Sequence, residues 1–163
     1  MEPARLVLID ARNQTLRVVS QGKEIFHCAV STASAGVGCR EGSGCTPYGW
    51  HAIASVLGHR AELGSRFVSR EFTGSVWNGE MVDDDWILTR IFWLEGLEPG
   101  VNRGEGIDSH ERYIYIHGTN REDLLGTPSS HGCVRVSNAD ATRLGELLRA
   151  NDTVFIGPRG ESP

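Results

Sequence analysis

Tyr113-Ile114-Tyr115-Ile116-His117-Gly118-Thr119, followed by Ser130-His131-Gly132-Cys133-Val134-Arg135, is the stretch whose reading settles the rest. Its first piece alternates aromatic and β-branched residues and predicts a strand over 113–117, with His117 landing at an edge. In the second, the turn-forming Pro128-Ser129-Ser130 feeds a short strand over 133–136.

Working outward, the apolar runs 5–10 and 15–20 read as a hairpin, and 24–32 as a third strand. Residues 33–46 carry Gly36, Gly38, Gly42 and Gly44 and are expected to be a loop. Thr46-Pro47-Tyr48-Gly49 is a turn feeding a strand that ends near Leu57. Residues 58–84 are polar and weakly patterned, an excursion with one short strand near 67–72. Residues 86–93 read as a buried strand, 95–111 as a loop and Val154-Phe155-Ile156 as the closing strand. One helix is expected over about 138–150: Asn138 is a good N-cap, and Ala141, Leu144, Leu147 and Leu148 share a face. The 20 glycines lie between short apolar runs, which fits a mainly β domain with tight turns. At 163 residues, without linker or repeat, the whole of 1–163 is one domain, with its core over about 5–157.

The chemistry concentrates at Cys133. A thiol of ordinary pKa is only about 3% thiolate at neutral pH, so a nucleophilic cysteine needs a base and positive potential nearby. His117 and His131 supply candidate bases, and Arg135 a positive charge. Gly132 clears space for an approaching carbonyl, and backbone N–H groups near Gly132 and Cys133 are suited to an oxyanion. A buried cysteine flanked by structural histidines is the competing reading. Turn and strand-edge placement favours catalysis.

These two segments resemble the signature of the L,D-transpeptidase catalytic domain, the YkuD-type family. Leu6–Ser20 resembles its opening hairpin, and Val30-Ser31-Thr32 with Thr46-Pro47-Tyr48-Gly49 its next strand and turn. The resemblance implies a mixed β-sheet sandwich with one helix in the C-terminal half, Cys133 as nucleophile, and His117 as base oriented through the Gly118 carbonyl. Ser130, His131, Gly132 and Arg135 would line the site, with Thr119 and Arg90 as further candidates. It implies a peptidoglycan tetrapeptide stem ending in D-alanine as partner, a thioester at the L-centre of the third residue, acylation by carbapenems, and no metal or cofactor. Two features depart from many members: the gap from His117 to Ser130 is shorter, and Arg135 stands where secreted members often carry Asn. A guanidinium there is suited to a substrate carboxylate.

The acyl acceptor separates two activities: water gives an L,D-carboxypeptidase, an amine gives an L,D cross-link. No basic region leads into an apolar one at the N-terminus, so a cytoplasmic location is expected, or a periplasmic one if a leader was removed. Residues 87–97 also resemble the branch of the family without a leader. Both favour hydrolysis. The net charge of -5 without a basic stripe excludes a nucleic-acid partner, and no apolar run approaches the roughly 18 residues that span a bilayer.

Two readings of other classes compete. A zinc site from His117, His131, Cys133 and Cys39 or Cys45 suffers from poor His-x-Cys spacing. A non-catalytic wall-binding module leaves the Cys–His pair unexplained. Cys28, Cys39 and Cys45 are expected as free thiols, with a Cys39–Cys45 bridge across the glycine loop as the alternative in an oxidising compartment. His27, His51, His59 and His110 are expected to be structural or exposed, Arg103 and Arg121 surface charges, and Trp50, Trp77, Trp86 and Trp93 packing aromatics.

Overall fold

The structure is a computed structural model that describes residues 2–159. Strands β1 (Arg5–Asp10), β2 (Thr15–Ser20) and β3 (Lys23–Ala29) form an antiparallel meander. After the glycine loop come β4 (Gly49–Leu57), the hairpin β5 (Ser65–Val68) and β6 (Glu71–Val76), and β7 (Ile87–Gly96). Then follow β8 (Tyr115–Thr119), β9 (Val134–Val136), helix α1 (Asn138–Leu147) and β10 (Thr153–Gly157).

The strands join in one open, ten-stranded mixed sheet of order β3-β2-β1-β10-β4-β7-β5-β6, from which β8 and β9 branch at β7. The β1–β10 and β8–β9 pairs are parallel; the others are antiparallel. β7 is the hub. β4 pairs its residues 91–96 and β5 its residues 87–88, while β8 pairs it over 87–93. Enclosed in this way, β7 reads as a nearly continuous apolar run rather than an alternation.

The main core lies on one face. Val7, Ile9, Leu16, Phe92, Leu94, Ile114, Ile116, Val134 and Val136 pack there with Ala141, Leu144 and Leu148. A smaller cluster of Phe67, Ile91 and Tyr115 on another face holds Trp93 and Cys133 at its margin. Side chains alternate along strands, so Ile116 and Val134 in the core send Tyr115, His117, Cys133 and Arg135 to the opposite face.

Four details differ from the sequence reading. Residues 58–84 hold a hairpin rather than one strand, because Ser69 and Arg70 both take positive φ (49° and 67°) and close a two-residue turn. Ser137, not Asn138, caps α1: its Oγ accepts the Asp140 N–H at 3.0 Å. The helix stops at Leu147, since Leu148 turns extended to reach the core. His117 lies within β8, buried between β7 and β9, not at an edge.

His51 is structural, as expected. It is fully buried, with Nδ1 3.0 Å from Gly49 O and Nε2 2.8 Å from Ser109 Oγ. Burial pushes its pKa from 6.5 down to about 4. The unfolded chain therefore binds the extra proton first, and stability is lost as pH falls from 6.5 towards 4. His117, whose pKa burial also lowers, acts in the same direction. For His51 alone the loss amounts to about 3 kcal/mol. Urea unfolding is expected to show a clearly lower midpoint at pH 4.5 than at pH 7.5; equal midpoints would contradict this role.

Candidate active site

The site is built at the mouth of β9. Ser130 Oγ donates to Cys133 O at 2.6 Å and accepts the Gly132 N–H at 3.2 Å, closing a tight turn around the two residues between. Gly132 has φ +142°, a backbone conformation side chains rarely adopt. Its carbonyl accepts from Thr46 Oγ1 at 2.8 Å, and that Thr46 hydroxyl in turn accepts the Ala33 N–H at 2.9 Å. The Thr46-Pro47-Tyr48-Gly49 turn thus braces the residue before the cysteine.

His117 is held from the other side. Its Nδ1 lies 2.7 Å from Gly118 O. A carbonyl only accepts, so Nδ1 carries the proton and Nε2 presents a lone pair. Gly118 must be glycine: a Cβ there would lie 2.5 Å from Asn138 Oδ1 and 2.6 Å from Leu88 O. His117 pairs with Arg135 in the β8–β9 register, so Cys133 is its diagonal neighbour on the same face, about 8 Å away between Cα atoms.

The electrostatics reverse one expectation. Cys133 is only partly exposed, and burial pushes its thiol from 9.0 up to about 11, although the Tyr115 N–H (3.4 Å) and the nearby Arg135 and Arg112 charges pull the other way. The thiol proton is directed to Tyr113 O at 3.4 Å. Burial lowers the imidazole at the same time. The resting pair is therefore neutral thiol and neutral imidazole, not a preformed thiolate. Arg135 fails to hold a thiolate because its own charge is engaged: it is buried, 2.8 Å from Asp85 Oδ2, and donates to Ser129 Oγ at 3.1 Å. The same ion pair removes it as the expected partner of a substrate carboxylate.

A cleft of about 510 Å³ opens over Cys133, lined by Gly132, His131, Tyr113, Arg112 and the carboxylates Asp85, Glu41 and Glu111, among others. His131 stands at its rim, 84% exposed and 3.8 Å from Asp85. The β5–β6 tip is pinned to the cleft wall by Arg70, which lies over the Trp93 and Tyr113 rings at 4.8 and 5.1 Å and donates to Tyr115 Oη at 3.1 Å.

Two expected residues lie elsewhere. Thr119 sits in the joint between β8 and α1, its carbonyl accepting from Asn138 Nδ2 and its Oγ1 from the Arg121 N–H. Arg90 donates to Ala61 O and Thr89 O and packs against Gly145 of α1. Asp85, Arg112 and Tyr113 belong to the cleft but escaped sequence reading; only the place of Arg112-Tyr113 directly ahead of the His117 strand hinted at them. Cys39 and Cys45 are free and directed to different carbonyls, Tyr48 O and Ala35 O. Among the described residues no three His, Cys, Asp or Glu side chains converge as metal ligands, so the zinc reading lacks its ligand set.

The profile of the L,D-transpeptidase catalytic domain family (YkuD) matches residues 4–156. Among solved structures, an L,D-transpeptidase of Xylanimonas cellulosilytica superposes with a TM-score of 0.59 at 20% identity, over 96% of this chain and 62% of its own. One from Stackebrandtia nassauensis gives 0.56 at 22% identity, over 98% and 58%. L,D-transpeptidase 3 of Mycobacterium tuberculosis gives 0.59 at 17% identity, over 96% and 62%. This chain spans about three fifths of the length of these proteins, and the likeness is one of fold. Among curated protein sequences none matches.

Proposed function

This chain belongs to the L,D-transpeptidase catalytic domain family, and from that premise we propose that it is a cysteine acyl-transfer enzyme acting on peptidoglycan tetrapeptide stems, with water as its preferred acceptor. The observation that carries this reading is the fixed tautomer of His117: with Nδ1–H bound to Gly118 O, its Nε2 is a ready proton acceptor on the face that holds Cys133.

Rotation about the Cys133 Cα–Cβ bond turns the thiol from Tyr113 O towards His117 Nε2. As sulfur attacks the carbonyl at the L-centre of the third stem residue, its proton passes to Nε2. The Gly132 N–H is already bound to Ser130 Oγ, which supports the Cys133 N–H as the donor to the developing oxyanion. Collapse breaks the C–N bond, and the imidazolium protonates the departing D-alanine amine. Water, deprotonated by His117, then attacks the thioester, and the thiol returns with its proton. Because both groups start neutral, this route operates without a net charge separation in the resting site.

The likeness of residues 87–97 to the leaderless branch supports hydrolysis and a cytoplasmic place of action. A specific observation favours the second reading, cross-linking: the three carboxylates lining the cleft suit an incoming ammonium. Product analysis separates them. With a muropeptide tetrapeptide, hydrolysis yields tripeptide and D-alanine alone, whereas transfer yields cross-linked dimer. Dimer as the main product would replace the first reading by the second. The active-site thiol is also proposed to be acylated by carbapenems; the solved structures include an L,D-transpeptidase in complex with imipenem and one with a faropenem-derived adduct.

A further inference from the structure

We propose that Arg112 receives the C-terminal carboxylate of the stem peptide and so selects stems that end one residue beyond the scissile bond. This deepens the reading above and rests on it.

The cleft is lined by three carboxylates, Glu41, Asp85 and Glu111, yet a stem ending in D-alanine brings another negative charge into it. Of the two guanidiniums near the thiol, Arg135 is consumed by Asp85 at 2.8 Å. Arg112 is not: among the described residues no carboxylate lies within ion-pair distance of it. Backbone carbonyls hold it instead, Cys45 O at 2.7 Å and Gly38 O at 3.3 Å. These contacts orient the guanidinium without an ion pair, in a half-buried place where a charge lacking a bound counter-ion is costly, and the more distant Glu41 offsets its charge only in part.

Its location fits. Cys45 O, which Arg112 grips, lies 3.5 Å from where a Cβ on Gly132 would be, so the guanidinium stands beside the turn that presents the sulfur. Arg112 also directly precedes Tyr113, whose carbonyl takes the thiol proton. The terminal carboxylate sits one residue past the carbonyl under attack, about 4 Å further along the chain, so its partner must adjoin the thiol in this way. Such a fork binds a carboxylate through two parallel hydrogen bonds, which an amide cannot reproduce.

The test compares kcat/KM on a tetrapeptide stem with a free terminal carboxylate and on the same stem with a terminal carboxamide, for the wild type, Arg112→Gln and Arg112→Lys. The wild type is expected to prefer the acid about 30-fold, the effect of one charge-assisted pair. Arg112→Gln should bring the ratio near one by losing activity on the acid alone, and Arg112→Lys should keep part of the preference. Each ratio is taken within one protein, so a smaller folded fraction cancels. If Arg112→Gln does not fold, the wild-type ratio and its reduction in Arg112→Lys decide. Wild-type turnover of both stems alike, or full preference retained in Arg112→Gln, overturns the role of Arg112 and leaves the enzyme reading standing. Turnover of neither stem by the wild type overturns both.

Discussion

In His117→Gln, thioester formation on a tetrapeptide stem is expected to slow about a thousandfold at pH 7.5, and its rate should then climb roughly tenfold per pH unit up to pH 9.5. The reason lies in the neutral resting pair. With His117 present, the thiol is deprotonated during attack, so the wild-type rate depends little on pH between 7 and 9, above the lowered imidazole pKa and below the thiol's value of about 11. Without the imidazole, only the rare preformed thiolate reacts, and its population grows tenfold for each unit below about 11. Single-turnover rates across this range decide it. A variant with a flat profile near the wild-type rate would place the base elsewhere, His131 being the candidate. His131 is 84% exposed, and His131→Gln is expected to leave the shape of the profile unchanged.

The second large effect is on stability. Gly118→Ala places a methyl 2.5 Å from Asn138 Oδ1 and 2.6 Å from Leu88 O, the latter a backbone atom inside the β7–β8 ladder. Neither neighbour yields easily. Asn138 is buried, receives the Thr89 hydroxyl at 2.6 Å and donates to Thr119 O at 2.8 Å, tying the start of α1 to both strands. The overpacking is expected to cost about 3 kcal/mol, near the upper end for such changes, and to lower Tm by roughly 10 °C. Whatever fraction folds should also lose activity beyond the loss in stability, because the displaced carbonyl is the one that fixes the His117 tautomer. A thermal melt within about 2 °C of wild type would contradict this packing.

Much of this was legible in the residues. β1, β2, β4 and β10 follow apolar runs bounded by turn formers, and the Ser130–Cys133 segment carries both the turn chemistry and the nucleophile. The β5–β6 hairpin was hidden because its turn, Ser69-Arg70, lacks the Gly or Asn that normally marks positive φ. The helix cap slipped by one residue because Ser137 and Asn138 are both good caps, and tertiary bonds to Glu122 and Thr119 drew Asn138 inside. Charge was the least legible property. Arg135 reads as a free cation in sequence, but Asp85, fifty residues upstream, neutralises it. No motif marks Arg112, yet the fold brings it to the cleft. Burial, which no short motif encodes, decides that the thiol rests protonated.

The most direct measurement is the intact mass of the protein quenched by acid during turnover of a tetrapeptide stem. One acyl group per chain, lighter than the stem by D-alanine and located on the peptide containing Cys133, is the predicted result, with no such mass in Cys133→Ala. Turnover without any covalent species, or an acyl group that persists in Cys133→Ala, would contradict the assignment of this sulfur as the nucleophile.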